Sequence, residues 1–186
     1  MAQRHRLEGY VIVSADGMLA DASGVMPQSL KFEGDQRFFE AALDDAALIV
    51  HGRHSYEDQP RSPLRKRVIV THATSDLARD PANPKATLWN PAGASFAEAC
   101  AEAGVADGMV AIIGGPQVFA LFFDQFDTFW LSQAHNVKLP GGLGTFPGVP
   151  DRSPQDILVG HGLRPTERLV FDAVQRVDVT AWRRPA

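Results

Sequence analysis

Cysteine is nearly absent from this sequence, since the 186 residues contain only Cys100. One thiol excludes an internal disulfide and a metal site built from several cysteines, and its place among alanines favours a buried structural role. No apolar run approaches the about 18 residues of a membrane span. The charged residues 1–8 are not followed by the apolar stretch of a signal peptide. We therefore expect a cytoplasmic protein with no membrane partner.

An excess of positive charge is also missing, because the formal net charge is −4 and the pI is about 5.8. A chain without a broad basic face is a poor candidate for nucleic-acid binding. The histidines show no metal-ligand spacing, so we expect no metal. With 45% hydrophobic and 22% charged residues, the composition is that of a globular protein. The length suits one domain over residues 1–186 and would be cramped for two.

Strand-like and helix-like segments alternate along the chain, which predicts an α/β sheet protein. The predicted helices cover residues 35–43, 95–103 and 117–123. The second of them begins with a capping box, Ser95 followed by Glu98. The predicted strands cover residues 9–14, 46–50, 68–71, 86–89, 109–113, 126–132, 168–172 and 177–182.

Two strand ends carry the residues that suit a phosphate-binding site. The strand 46–50 runs into the segment 51–56 (HGRHSY), and the strand 109–113 runs into Gly114-Gly115. Glycine lets a backbone approach a ligand closely, and a helix beginning there would offer free N–H groups to an anion. Taken alone, either pair of glycines could equally serve only a tight turn.

Taken together, these segments resemble the dihydrofolate reductase superfamily. Residues 52–57 match its Gly-Arg-x-(Ser/Thr)-(Tyr/Trp)-Glu segment, and residues 114–119 match its Gly-Gly-x-x-Val-(Tyr/Phe) segment. Shorter matches lie at residues 14–17, 65–67 and 146–147, so the resemblance extends from about residue 9 to residue 182. It implies a three-layer fold with a central, mostly parallel twisted sheet and an antiparallel C-terminal edge.

The resemblance also implies NADPH as the cofactor, with Arg53 as the partner of its 2′-phosphate. Gln117 departs from relatives that have a cationic residue there. The implied phosphate-, pyrophosphate- and ribose-binding residues are Gly52, Arg53, His54, Ser55, Gly114, Gly115, Gln117 and Val118. Those implied to line the nicotinamide and to flank the adenosine are Val13, Ser14, Leu19, Thr71 and His72.

Two branches of the superfamily compete for the substrate. The preferred hypothesis is the 5-amino-6-(5-phosphoribosylamino)uracil reductase of riboflavin biosynthesis. This branch is resembled by residues 14–20 (SADGMLA) and by Asp58-Gln59-Pro60. It implies Asp58 as the functional acid, Arg65 as a substrate-binding residue and a homodimer.

The alternative is dihydrofolate reductase, which Met26-Pro27 and residues 146–147 resemble. That branch needs an acid on its first helix. Counting back from Gly52, the place falls on Gln36 without a gap or on Asp35 with one inserted residue, so Asp35 is the candidate acid, and it could equally be the helix N-cap. Arg65 would then bind the glutamate tail. The motif of the deaminase often fused to the riboflavin-pathway reductase is absent, as is a Rossmann fingerprint. A non-catalytic, nucleotide-binding regulatory protein is a further alternative.

Overall fold

The structure is a computed structural model that describes residues 5–185. The expectation of no signal peptide concerns residues 1–8, half of which lie outside the described range. The elements follow in the order β1 (Arg6–Ser14), β2 (Met18–Ala20), α1 (Glu33–Asp45), β3 (Leu48–Gly52), β4 (Arg67–Val70), β5 (Leu77–Arg79), β6 (Ala86–Trp89), α2 (Phe96–Glu102), β7 (Met109–Ile112), α3 (Pro116–Phe122), β8 (Thr128–Ala134), β9 (Leu143–Gly144), α4 (Pro154–Gly160), β10 (Arg164–Asp172) and β11 (Val177–Arg183). Short 3₁₀ helices cover Gln28–Leu30 and Ser62–Leu64.

Within residues 5–185 the main sheet has nine strands in the order β10-β11-β8-β1-β7-β3-β4-β6-β5. The six strands from β8 to β6 are parallel to one another, while β5 is antiparallel to β6 at one edge. At the other edge, β10 and β11 form an antiparallel hairpin that pairs with β8. The predicted fold class is confirmed, including its antiparallel C-terminal edge.

Alternation along the strands places two hydrophobic layers on the two faces of this sheet. Ile49 of β3 and Ala111 of β7 pack with Leu43 of α1 on one face. Their strand neighbours Leu48 and Val110 belong to a larger core that includes residues of α2, α3 and α4. Helix α1 therefore covers the first face together with the 3₁₀ helix Gln28–Leu30, whose Leu30 packs with Ile12 of β1, and the site lies on the same face.

The structure adds the short strands β2, β5 and β9 to the predicted pattern and corrects two of its helix assignments. No helix follows β3, because residues 53–61 form a turn and irregular chain before the 3₁₀ helix. Pro60 and Pro63 disfavour a helix there. Helix α4 was missed, although Ser153 caps it and Pro154 occupies its first turn, which is a recognisable start signal. The capping box of α2 is confirmed.

No helix among residues 5–185 is long and apolar enough to cross a bilayer. The same part of the chain contains no cluster of three or more side chains suited to hold a metal ion.

Candidate active site

The two glycine segments predicted from sequence lie side by side. Strands β3 and β7 are parallel neighbours, so their carboxyl ends reach the same edge of the sheet. The Gly52 N–H donates a 2.7 Å hydrogen bond to the Gly114 carbonyl, and Ile113 N–H donates to Val50 O at 3.0 Å. The carboxyl edge of a parallel sheet is where α/β proteins of this kind bind ligands.

Gly52, Gly114 and Gly115 expose bare backbone at this edge and together form a glycine cradle. Gly114 has φ +113°, which a residue with a side chain rarely adopts, and its peptide bond to Gly115 is cis. A Cβ added at Gly115 would lie 3.2 Å from Ser55 Oγ, and one at Gly52 would lie 3.4 Å from a methyl of Val118. Side chains at these glycines would therefore fill the cradle. Its shape and its neighbouring donors fit the phosphates of a dinucleotide.

The charged and polar candidates beside the cradle are accessible. Arg53 and His54 are exposed in the turn after β3, and Ser55 is half-buried. Gln117 is exposed on α3, and His72 is exposed after β4. These positions leave the side chains free to meet a bound nucleotide, although the positive end of a helix is missing after Gly52.

Four other residues predicted to bind the cofactor are buried. Val13 and Val118 belong to the large core. Ser14 donates its hydroxyl to Asp16 at 2.5 Å and accepts from Met18 N–H. Thr71 accepts from Ala73 N–H at the end of the next strand. The direct contact of these four residues with a cofactor stays a prediction.

A cavity of about 370 Å³ adjoins the cradle, between α1, the sheet and residues 54–59. Gly115 and Ser55 belong to its lining, so it is continuous with the cradle. Its apolar wall includes Leu19, Met26, Phe38, Phe39, Ile113 and Trp130. The lining also includes charged and polar side chains, among them Lys31, Asp35 and Asp58, and a cavity of this volume that combines apolar walls with polar groups suits a small-molecule site.

Asp35 is the buried acid of this cavity. It lies in the first turn of α1 and is only 8% exposed. Burial raises the pKa of its carboxyl to about 6, and a hydrogen bond from Ser132 opposes part of that rise. The helix N-cap is Phe32, so the alternative role of Asp35 as the cap is wrong. Sequence reasoning missed Ser132, which only the pairing of β8 beside β1 brings to Asp35.

Asp58 also lines the cavity, but its side chain is exposed. Arg65 lies elsewhere, outside the cavity lining. Its guanidinium donates to Asp44 at 2.7 Å and to Glu57 at 3.0 Å, with a side-chain exposure of 7%. Arg65 is thus paired with two carboxylates of the protein, and the geometry does not support its predicted contact with a substrate.

Glu57 anchors the irregular segment 53–61 from beneath. Its carboxylate accepts from Arg65 and, at 2.8 Å, from Arg67, whose side chain is fully buried. Arg67 also donates to Ser62 and contacts His51 of β3. Glu57, Arg67, Ser62 and His51 thus form a buried, hydrogen-bonded hub, which sequence reasoning missed. The signal for it was a histidine and an arginine in two adjacent apolar strands.

No known protein-family profile matches the chain, and no curated protein matches it in sequence. Solved structures do match. Dihydrofolate reductase from Enterococcus faecalis, complexed with NADP(H) and RAB-propyl, has a TM-score of 0.67 at 17% identity, with 100% of both chains covered. A protein from Shewanella sp. PV-4 assigned to riboflavin biosynthesis has a TM-score of 0.65 at 16% identity, covering 97% of this chain and 99% of that one.

A third match is a diaminohydroxyphosphoribosylaminopyrimidine deaminase/5-amino-6-(5-phosphoribosylamino)uracil reductase from Thermotoga maritima. Its TM-score is 0.64 at 16% identity, and the match covers 98% of this chain and 57% of that one. The chain therefore has the dihydrofolate-reductase-like fold, as its motifs predicted. Because the matched proteins carry different functions on this fold, the fold leaves the substrate open.

Proposed function

We propose that this protein is an NADPH-dependent reductase that transfers a hydride to a carbon–nitrogen double bond of a planar heterocycle. The observation that carries the proposal is the buried carboxyl of Asp35 in a cavity that continues into the glycine cradle. A reductase of this kind needs a place for the dinucleotide and, beside it, a group that manages a proton. The cradle and Asp35 supply these two parts.

The cofactor end depends on backbone and on Arg53. The cradle residues Gly52, Gly114 and Gly115 would hold the phosphates, while the exposed Arg53 guanidinium would pair with the 2′-phosphate. NADPH, when bound, supplies the hydride. The apolar wall of the cavity excludes water from the heterocycle and holds its plane toward the cradle.

At the substrate end, the two oxygens of ionised Asp35 can accept hydrogen bonds from adjacent ring N–H and amino groups. Reduction of a carbon–nitrogen double bond adds a hydride to carbon and a proton to nitrogen. With a pKa raised to about 6, Asp35 can bind and release a proton near neutral pH. Ser132 lines the same cavity, and its interaction with the carboxyl opposes part of the rise in the Asp35 pKa, so its hydroxyl would help to orient the carboxyl.

Asp35 is assigned as the acid in preference to Asp58. A buried carboxyl can hydrogen-bond to the N–H groups of the ring without competition from water, whereas an exposed carboxyl is surrounded by water. The phosphoribosylamino pyrimidine of riboflavin synthesis is the second candidate substrate. Asp58 and Lys31 favour it, since both line the cavity and could contact the sugar and its phosphate. A pterin-like ring is the first candidate.

The test is an NADPH-oxidation assay with dihydrofolate, simple dihydropterins and the phosphoribosylamino pyrimidine. Asp35→Asn should lower kcat/KM on the true substrate by about 10²-fold or more, the usual scale for a positioned acid. Asp58→Asn is the matched control, since it makes the same change in the same cavity lining. Activity lost at Asp58 and spared at Asp35 would reverse the assignment. NADPH binding without turnover of any heterocycle would favour a regulatory protein.

A further inference from the structure

His51 is a buried imidazole held between two partners at the end of β3. It is 1% exposed and shares a sheet face with Ile49. Its Nδ1 lies 2.7 Å from the carbonyl oxygen of Gly52, and its Nε2 lies 3.1 Å from Nη1 of Arg67. A carbonyl oxygen only accepts and a guanidinium only donates. His51 is therefore the neutral tautomer with its proton on Nδ1, and burial lowers its pKa accordingly.

Arg67 is fixed on its other side. Its Nη2 donates to Glu57 at 2.8 Å and to Ser62 O at 2.9 Å. Its guanidinium carbon also lies 4.6 Å from the centre of the Tyr56 ring. Because the side chain is fully buried, removing a partner would leave a charge without compensation. The His51 imidazole therefore accepts its hydrogen bond from a guanidinium whose position is fixed by several partners.

Gly52 connects this hub to the cradle. Its N–H donates to Gly114 O, and its carbonyl accepts from His51 and, at 3.1 Å, from Ser55 N–H. A glycine has wide freedom in φ and ψ, so without such bonds the peptide after it could rotate. Hydrogen bonds on both sides of Gly52 fix its orientation.

We propose that His51 is a positioning residue for the cofactor: by donating to the Gly52 carbonyl it aims the backbone of residues 52–55 at the dinucleotide phosphates, while Arg67 holds its tautomer. This inference rests on the proposed function, because it presumes that NADPH occupies the cradle. It also explains why an uncharged polar group is buried between two strands whose other buried residues are mainly apolar.

Two substitutions separate the hydrogen bond that His51 donates to Gly52 from the one that it accepts from Arg67. His51→Asn keeps an N–H near the position of Nδ1 but loses the acceptor for Arg67. His51→Gln can place its Oε1 near the position of Nε2 but loses the donor to Gly52. We expect His51→Gln to raise the NADPH Kd about tenfold, the scale of one hydrogen bond, with little change in the urea midpoint. We expect His51→Asn to keep the Kd within about twofold and to lower the midpoint.

The matched control is Ile49→Ala, which opens a cavity on the same strand and face, beside Arg67 in the sheet register, without removing any of these side-chain hydrogen bonds. It should lower the midpoint and leave the NADPH Kd unchanged. All measurements use the apoprotein, with NADPH affinity read by fluorescence titration. If His51→Gln does not fold, His51→Asn alone decides, since an NADPH Kd more than tenfold weaker there would contradict the proposal.

An unchanged Kd in His51→Gln would overturn the inference and leave the proposed function intact. Equal losses of affinity in both variants and in Ile49→Ala would also overturn it, because affinity would then simply follow stability. A wild-type protein that binds no NADPH would refute the proposed function itself, and this inference with it.

Discussion

Replacing Asp35 by asparagine should stabilise the protein at neutral pH while removing its activity. The Asp35 pKa is raised from 3.8 to about 6 because burial disfavours the charged form. Between these two values the folded protein holds the proton that the unfolded chain has lost, so stability falls as pH rises through this window and levels off above it. Each pKa unit corresponds to about 1.4 kcal/mol, so ionised Asp35 costs about 3 kcal/mol.

Asparagine keeps the size and polarity of the side chain without the charge. The stability difference between Asp35→Asn and the wild type should therefore be small near pH 4 and should grow to as much as about 3 kcal/mol above pH 6. The amide oxygen of asparagine can accept a hydrogen bond from a hydroxyl, as a carboxylate oxygen does. Such a gain in stability at the expense of activity is typical of active-site residues.

The measurement is urea unfolding of both proteins, without ligand, at several pH values from 4 to 8. Subtracting the two curves isolates Asp35, because every other titrating group is shared. Asp58→Asn is the control, since its exposed side chain should change stability by less than about 0.5 kcal/mol. A difference that is constant with pH, or a destabilised Asp35→Asn above pH 6, would show that the carboxyl is not buried as described.

Three further predictions concern the cofactor and the assembly. Arg53→Ala should weaken NADPH by about 1.5–3 kcal/mol and NADH much less, and equal losses in binding titrations would show that Arg53 does not contact the 2′-phosphate. Gly115→Val should abolish NADPH binding in a folded protein, because its Cβ would already lie 3.2 Å from Ser55 Oγ and its two methyl groups would occupy the cradle; normal binding would place the phosphates elsewhere. A homodimer is expected through the edge strand β10, where Leu169 and Val170 are exposed, so Val170→Lys should shift sedimentation toward monomer. A wild-type monomer at high micromolar concentration would rule the dimer out.

Local signals in the sequence were sufficient for much of the fold. Apolar β-branched runs predicted the central strands, and Ser95 with Glu98 predicted the start of α2. Such signals act between residues close in the chain, where capping bonds and side-chain periodicity operate. The same local reasoning placed a helix after Gly52, which is wrong. There, prolines disfavour a helix, and the buried ion pairs of Glu57 with Arg65 and Arg67 hold the irregular chain.

The motifs likewise predicted the residue types of the site, but tertiary structure decided which residues meet. Asp35 is 97 positions from Ser132 in the sequence, and only the placement of α1 against β8 buries the carboxyl and raises its pKa. Arg65 looked free to bind an anion, yet folding places it between Asp44 and Glu57. The residue types in the sequence determine which side chains can carry a charge and which can donate or accept hydrogen bonds. Burial and partnership depend on distances between segments remote in the chain, and these set the chemistry of the site.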